Sequence, residues 1–369
     1  MNLERKIKRK IYAKNHGYFL ITQPGLEDVL ESEVKDLGYE VLKKVSGGIE
    51  TEGKIKDLYY LSFHVRSASK IFLRLASFKA LSLSKIGNKL KILNLELFWK
   101  KNTRFNVKVS CKKSRLYHSD MVRDYVIKKL EGGDFSYLNY SFDKKSRESL
   151  VIRIENDIVT VSLNATGDFL YKRNIKKLIH KAPIRENIAA ALLLKYWNKE
   201  KILFDPMCGS GTFALEGAMI KNNIPPNFKG NFNFLNWVNF KEKTFNHIKS
   251  SFDLNFSVHG IFLSDIDEKA VKTALENLSL FNGISVKKND FFKIKPFEKS
   301  GMLVMNLPYN KRIKVKGDFY FKIEKKIITD FKDWDYLILA PEFVKFNNLK
   351  KKNLRIKNGG FKINVYSNR

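Results

Sequence analysis

The sequence predicts an α/β protein in which a doubly wound parallel sheet fills the C-terminal half and two smaller α+β modules precede it. Short apolar runs at residues 202–204, 261–263, 302–305 and 336–340 alternate with segments of helical length, and strands apolar on both faces belong to parallel sheets covered by helices. Upstream, half-apolar strands alternate with single amphipathic helices. At about 100–200 residues per domain, a chain of 369 residues holds two or three domains.

Residues 18–22 read as a strand, and after Pro24 and Gly25 the apolar positions Leu26, Val29, Leu30, Val34 and Leu37 recur at helical spacing until Gly38 stops them. Alternation at Tyr39 and Val41, a turn at Gly47-Gly48, a strand over 49–52 and a helix over 55–63 complete the first module. A strand over 70–78 leads into the second, with alternation over 104–109, a helix over 121–130, a turn at Gly132-Gly133, and a hairpin around Asn156-Asp157. Residues 172–181 read as a basic, polar linker, and 184–197 as a helix apolar over much of its surface. The expected domains are 1–65, 66–170 and 171–369.

With 44% hydrophobic residues, 20 Gly and 8 Pro the composition is that of a folded globular protein. Lys+Arg of 69 against Asp+Glu of 38 leaves a net charge of +31, which attracts polyanions and points to nucleic acid as partner. The excess is uneven: residues 1–60 carry 11 basic against 10 acidic side chains, and residues 61–130 carry 17 against 3. A second concentration, 8 basic and no acidic residues over 343–369, closes the chain, and the two segments are expected to line a shared groove. Cys111 and Cys208 are the only cysteines, which excludes a disulfide framework and a multi-cysteine zinc site, so no metal is expected. No run approaches the roughly 18 apolar residues of a membrane span, and the basic start is not followed by an apolar stretch; a cytoplasmic location is expected.

Four elements carry chemistry. The first is Asp205-Pro206-Met207-Cys208-Gly209-Ser210-Gly211-Thr212, a strand end passing through two glycines into a helix. Such a loop lets backbone approach a ligand closely, while Asp205 accepts from a ligand ammonium. The loosened dinucleotide fingerprint of Gly209, Gly211 and Ala214 is outweighed, because no acid follows at about 20 residues and Asp205 would repel a pyrophosphate. The second is Ser264-Asp265-Ile266-Asp267 after the next apolar strand, where Asp265 is placed to accept from ribose hydroxyls and Asp267 suits a helix N-cap. The third, Asn289-Asp290-Phe291-Phe292, offers Asp290 to an adenine amine and the Phe291 ring to its face.

The fourth is Asn306-Leu307-Pro308-Tyr309 after the apolar strand over 302–305. A purine exocyclic amine is a poor nucleophile because its lone pair is delocalised, so its hydrogens must be held by acceptors while the nitrogen is aimed at a methyl donor. The Asn306 side chain and the Leu307 carbonyl are the expected acceptors, and Tyr309 the ring that stacks on a base taken out of its helix.

With these elements in this order, the chain resembles the THUMP-domain RNA methyltransferases, most closely the bacterial 23S rRNA guanine-N2 methyltransferases. The less general stretches agree: the basic segment Lys112-Lys113-Ser114-Arg115-Leu116-Tyr117-His118, the lead-in Ala182-Pro183-Ile184-Arg185-Glu186-Asn187, the aromatic segment 232–240 with Trp237, and Lys357-Asn358-Gly359-Gly360. The resemblance implies a ferredoxin-like first module, a THUMP second module that captures RNA, and a Rossmann-like S-adenosylmethionine-dependent methyltransferase domain. Its implied cofactor is S-adenosyl-L-methionine, held by Asp205, Cys208, Gly209, Ser210, Gly211, Thr212, Asp265, Ile266, Asp290 and Phe291. Asn306, Leu307, Pro308 and Tyr309 would act on the guanine, and Lys112, Lys113, Arg115, Tyr117 and His118 would hold 23S rRNA or an assembling large ribosomal subunit. Leu307 replaces the family's first proline, which loosens the expected acceptor geometry, and Asn310 stands where glycine is common. The alternatives are an adenine-N6 methyltransferase acting on nucleic acid and a non-catalytic RNA-binding or ribosome-assembly protein.

Overall fold

The computed structural model describes residues 2–178, 183–252, 254–308, 318–358 and 360–369. Among them, fifteen strands form two sheets.

The first sheet contains β1 (His16–Ile21), β2 (Val41–Val45), β3 (Gly48–Gly53), β4 (Lys70–Lys79), β5 (Arg104–Lys112), β6 (Ser141–Phe142), β7 (Ser149–Glu155) and β8 (Ile158–Asn164), in the order β2-β3-β1-β4-β8-β7-β5-β6. Strand β4 pairs with β1 on one side and β8 on the other, so the strands expected of two separate modules merge into one sheet. Pairing is antiparallel except where β5 runs parallel to β7 and to β6. Helices α1 (Leu3–Ile7), α2 (Glu27–Asp36), α3 (Ile55–His64), α4 (Leu83–Leu90) and α5 (Ser119–Glu131) accompany it. Alternate residues such as Leu73, Val107, Ile152, Ile154 and Val161 fill the core, as a period of two requires.

The second sheet contains β9 (Leu203–Asp205), β10 (Ile261–Asp265), β11 (Ser285–Lys288), β12 (Met302–Asn306), β13 (Asp335–Pro341), β14 (Lys351–Asn358) and β15 (Phe361–Ser367), in the order β11-β10-β9-β12-β13-β15-β14. The first five are parallel, and β15 and β14 add an antiparallel hairpin at the edge. Helices α6 (Glu186–Tyr196), α7 (Thr212–Lys221), α8 (Glu242–Ser250), α9 (Glu268–Asn277) and α10 (Phe319–Thr329) belong to this half of the sequence. Chain order reverses between β9 and β12, the switch point at which a crevice opens beyond the carboxyl ends of parallel strands.

Two features depart from the expected layout. The aromatic segment before β10 packs into the first core, where Phe234 stacks on Tyr59 at 4.7 Å and Trp237 meets Phe98 at 5.3 Å. The stretch read as a basic, polar linker begins in the interior: Arg173 is fully buried and its guanidinium donates to Glu216 Oε1 on α7 at 3.0 Å, to Asn227 Oδ1 at 3.2 Å and to the Arg66 carbonyl at 2.6 Å. A charge taken from water needs such partners, and these come from both halves of the chain.

Candidate active site

Strand β9 delivers Asp205 to the crevice with 3% of its surface exposed. Its Oδ1 accepts from the Met207 N–H at 3.2 Å. Burial, reinforced by the Asp265 charge, holds this carboxyl well above the usual carboxylate range, so a cation placed against it would be strongly favoured.

The loop turns through Gly209 (φ +53°) and Gly211 (φ +76°), both in the left-handed region that favours glycine. A Cβ on Gly211 would press on Leu278 at 3.3 Å and Ala274 at 3.4 Å, whereas a Cβ on Gly209 would meet nothing within 4 Å. Gly211 therefore serves close packing, and Gly209 leaves room for a ligand. Cys208, Ser210 and Thr212 are buried beneath the loop, and burial raises the Cys208 thiol, so these side chains shape the cradle more than they line it.

Asp265 ends β10 and braces the loop: Oδ2 accepts from the Gly209 N–H and Oδ1 from the Asp267 N–H, both at 2.9 Å. Each oxygen keeps a second lone pair for a ribose hydroxyl. Asp267 caps α9 through the Lys269 N–H. Ile266 is 67% exposed at this rim. Asp290 caps a single helical turn by accepting from the Phe292 N–H at 3.0 Å. That turn points the Phe291 ring into the core against Phe331 at 5.7 Å and leaves Phe292 at the surface.

Asn306 ends β12, beside β9 in the sheet, and is half-buried. The Leu307 side chain is fully buried and its N–H donates to the Leu339 carbonyl at 2.9 Å, a bond proline cannot make. Leucine here pins the strand end to β13, against the looser geometry expected. The Pro308 carbonyl accepts from the Tyr320 hydroxyl at 2.8 Å. Tyr309 and Asn310 lie outside the described residues, as do Ala182 and Gly359.

Several residues that the motifs did not single out hold the site together. Asn277, buried at the end of α9, donates to the Ser210 carbonyl at 3.1 Å and accepts from the N–H groups of Lys177 and Leu178 at 2.9 and 3.0 Å. Lys176 donates to Thr212 Oγ1 at 3.0 Å and pairs with Glu186 at 2.9 Å. The available signals were an asparagine at a core-facing helix position and, in Glu216, a lone carboxylate in an otherwise apolar helix.

The basic segment forms the loop between β5 and α5, with Lys112, Lys113, Arg115, Tyr117 and His118 exposed around the buried Leu116. Asp157 anchors it by accepting from the Arg115 N–H at 2.7 Å, the rings of Tyr117 and His118 lie 4.0 Å apart, and Lys112 pairs with Glu155 at 3.1 Å. Lys112 ends β5 of the first sheet and the other four follow it in the loop to α5.

Residues 173–355 match the family described as the RMKL-like methyltransferase domain (UPF0020), and residues 18–72 match the RlmL ferredoxin-like domain. The chain is 31% identical over 308 residues to the "Putative RNA methyltransferase YpsC" of Bacillus subtilis (strain 168), with 78% of each covered. The chain belongs to the RMKL-like methyltransferase family. It is 28% identical over 372 residues to the ribosomal RNA large subunit methyltransferase K/L of Buchnera aphidicola subsp. Schizaphis graminum, which covers 92% of this chain but 52% of that one, so it spans about half the length of that relative. A solved structure described as "SMU.472, a putative methyltransferase complexed with SAH" superposes with a TM-score of 0.81 at 25% identity, covering 96% of this chain and 98% of that one.

The family assignment makes S-adenosylmethionine the cofactor, and the residues fit it. Asp205 offers a buried carboxyl suited to an ammonium, the space beyond Gly209 is open, and Ile266 and Phe292 present exposed apolar surface. No helix among the described residues is long and apolar enough to cross a membrane.

Proposed function

We propose that the chain methylates the exocyclic N2 amine of a guanine in RNA, with 23S rRNA, free or within an assembling large subunit, as substrate. The observation that carries this reading is the placement of Asn306, Leu307 and Pro308 at the carboxyl end of β12, next to β9 and its cofactor loop across the switch point. The names of the RNA and ribosomal RNA methyltransferases that the chain resembles support the substrate class.

S-adenosylmethionine supplies an electrophilic methyl group on sulfur. Asp205 holds its ammonium, Asp265 its ribose, and Ile266 and Phe292 flank its base. The Asn306 amide oxygen and the Leu307 carbonyl accept from the amine hydrogens, which localises the nitrogen lone pair and aims it across the crevice. Tyr309 stacks on the extruded base. The middle module, between the two matched segments, acts as a THUMP domain and captures RNA through the loop of residues 112–118.

The test is transfer from methyl-labelled S-adenosylmethionine to ribosomal RNA and, in parallel, to duplex DNA, followed by digestion to nucleosides. Label in N2-methylguanosine is expected. Label in N6-methyladenine from either substrate, or in neither, overturns the reading.

A further inference from the structure

One face of the first sheet is packed into the core, and its other face carries cations. Across β5 and β7, Lys108 lies opposite Val151, Ser110 opposite Arg153 and Lys112 opposite Glu155. Across β7 and β8, Val151 lies opposite Ser162, which in turn lies opposite Arg74 on β4. Residues opposite one another share a face, and their neighbours Val107, Ile152, Val161 and Leu73 are all buried, so Arg74, Lys108, Lys112 and Arg153 look outward together. Arg74 pairs with Glu50, and Lys112 and Arg153 share Glu155, whereas Lys108 makes no ion pair among the described residues.

The registers also order this face from end to end. The loop of residues 112–118 lies where β5 ends, and the opposite end, where β4 starts and β8 stops, is a second basic corner. There Arg147 and Lys172 both lie 3.5 Å from the single carboxylate of Asp168, and Lys70 donates to the Gly167 carbonyl at 2.5 Å. Burial first, and then Lys108, Lys172 and Arg147 acting against Asp168, lower the Lys70 ammonium to about 8, so face and corner form one field of like charge. The corner adjoins the catalytic half: Lys70 lies 4.4 Å from the Phe169 ring, Phe169 stacks on Tyr171 at 4.9 Å, and Arg185, just before α6, lies 5.2 Å from the Tyr171 ring.

We propose that this outward face and its corner form a continuous track for an RNA phosphate backbone, leading from the 112–118 loop across Arg153 and Lys108 to Arg147 and Lys172 at the edge of the catalytic half. The proposal rests on the RNA methyltransferase reading and adds the path by which RNA reaches the crevice. The exposed positions of β5 run from Lys108 to Lys112, five residues that span about 13 Å at roughly 3.3 Å per residue, a length suited to successive phosphates. Phosphate contacts position nucleic acid without reading its sequence, which matches a surface built from lysine and arginine with little hydrogen-bonding specificity.

The experiment measures binding of transcribed 23S rRNA by the full chain over a series of KCl concentrations. Lys108→Glu combined with Lys172→Glu is expected to weaken binding about tenfold near 0.1 M salt and to lower the slope of log K against log salt by about 1.5, because each lost phosphate contact removes roughly 0.7–0.9. Binding of S-adenosylhomocysteine stays unchanged, and Lys332→Glu, an exposed lysine of the catalytic half, serves as the charge control. In the unmodified protein, bound rRNA is expected to protect Lys108 and Lys172 from acetylation. If the double variant binds like the control and both lysines acetylate equally with and without RNA, while Lys112→Glu with Arg115→Glu weakens binding, the track is wrong and RNA capture by the loop stands. If the unmodified chain does not bind rRNA, the RNA reading and the track fall together.

Discussion

The phenolic hydroxyl of Tyr320, on α10, donates to the main-chain carbonyl of Pro308 at 2.8 Å. This bond joins α10 to the turn after β12, and together with the Leu307 N–H bond to Leu339 it ties the turn on two sides. Burial raises the Tyr320 hydroxyl above its ordinary pKa, so it remains a donor throughout the neutral range. Tyr320→Phe keeps the ring and deletes the bond. A lost hydrogen bond of about 1 kcal/mol predicts a fall in kcat of about fivefold, with the KM for S-adenosylmethionine unchanged. An unaltered kcat in steady-state assays would show that the turn is held without it.

Asn306→Ala removes the side-chain acceptor at the end of β12 and leaves the cofactor loop untouched. Turnover is expected to drop by about 100-fold or more, the usual cost of losing one preorganised group that acts on the reacting atoms. Calorimetric titration with S-adenosylhomocysteine should give the same affinity as the parent chain. Wild-type turnover would remove Asn306 from the amine clamp.

Asp205 links cofactor binding to pH. Its folded carboxyl is raised by burial and by Asp265, so between the ordinary carboxylate value and this raised one the folded protein holds more protons than the unfolded chain. Stability of the cofactor-free protein therefore declines as pH rises through that window, and binding of an ammonium-bearing ligand strengthens over the same range as the proton leaves. Asp205→Asn is expected to weaken S-adenosylhomocysteine by about 10- to 100-fold while the cofactor-free melting temperature at pH 7 holds or rises. Calorimetry and thermal melts as a function of pH check both halves. An unchanged affinity would show that the ammonium is held elsewhere.

The Arg173–Glu216 pair has both side chains at 0% exposure, and the same guanidinium reaches the Arg66 carbonyl in the first half of the chain. Removing one partner of a buried pair costs about 3–5 kcal/mol because the other charge is stranded. Glu216→Gln should therefore lower the urea midpoint substantially, and Arg173→Met with Glu216→Leu should recover much of the loss. Equal midpoints for Glu216→Gln and the parent chain would mean that the pair holds nothing together.

The strand ends that carry Asp205, Asp265 and Asn306 were legible in the sequence, because a short apolar run that ends in a polar side chain ahead of a turn is a local pattern. Leu307 was legible as a departure, but whether it loosened or pinned the turn depended on Leu339 in the next strand. Which of Phe291 and Phe292 is buried was not legible: adjacent aromatics look alike until the cap by Asp290 turns one inward. The β14–β15 hairpin was hidden by its lysines, which read as a basic tail until the Asn364 and Ile363 pairings placed them on an edge.

Local chemistry along the chain thus set the fold class and the chain order of the strands in the second sheet's parallel part. Folding in three dimensions decided the rest: the joining of the strands of both N-terminal modules into one sheet, the Arg173–Glu216 bolt between residues 43 positions apart, and the meeting of Arg147 and Lys172 at Asp168. Periodicity and turn chemistry are set by near neighbours, whereas burial, pairing and shared fields depend on which distant segments come to lie side by side.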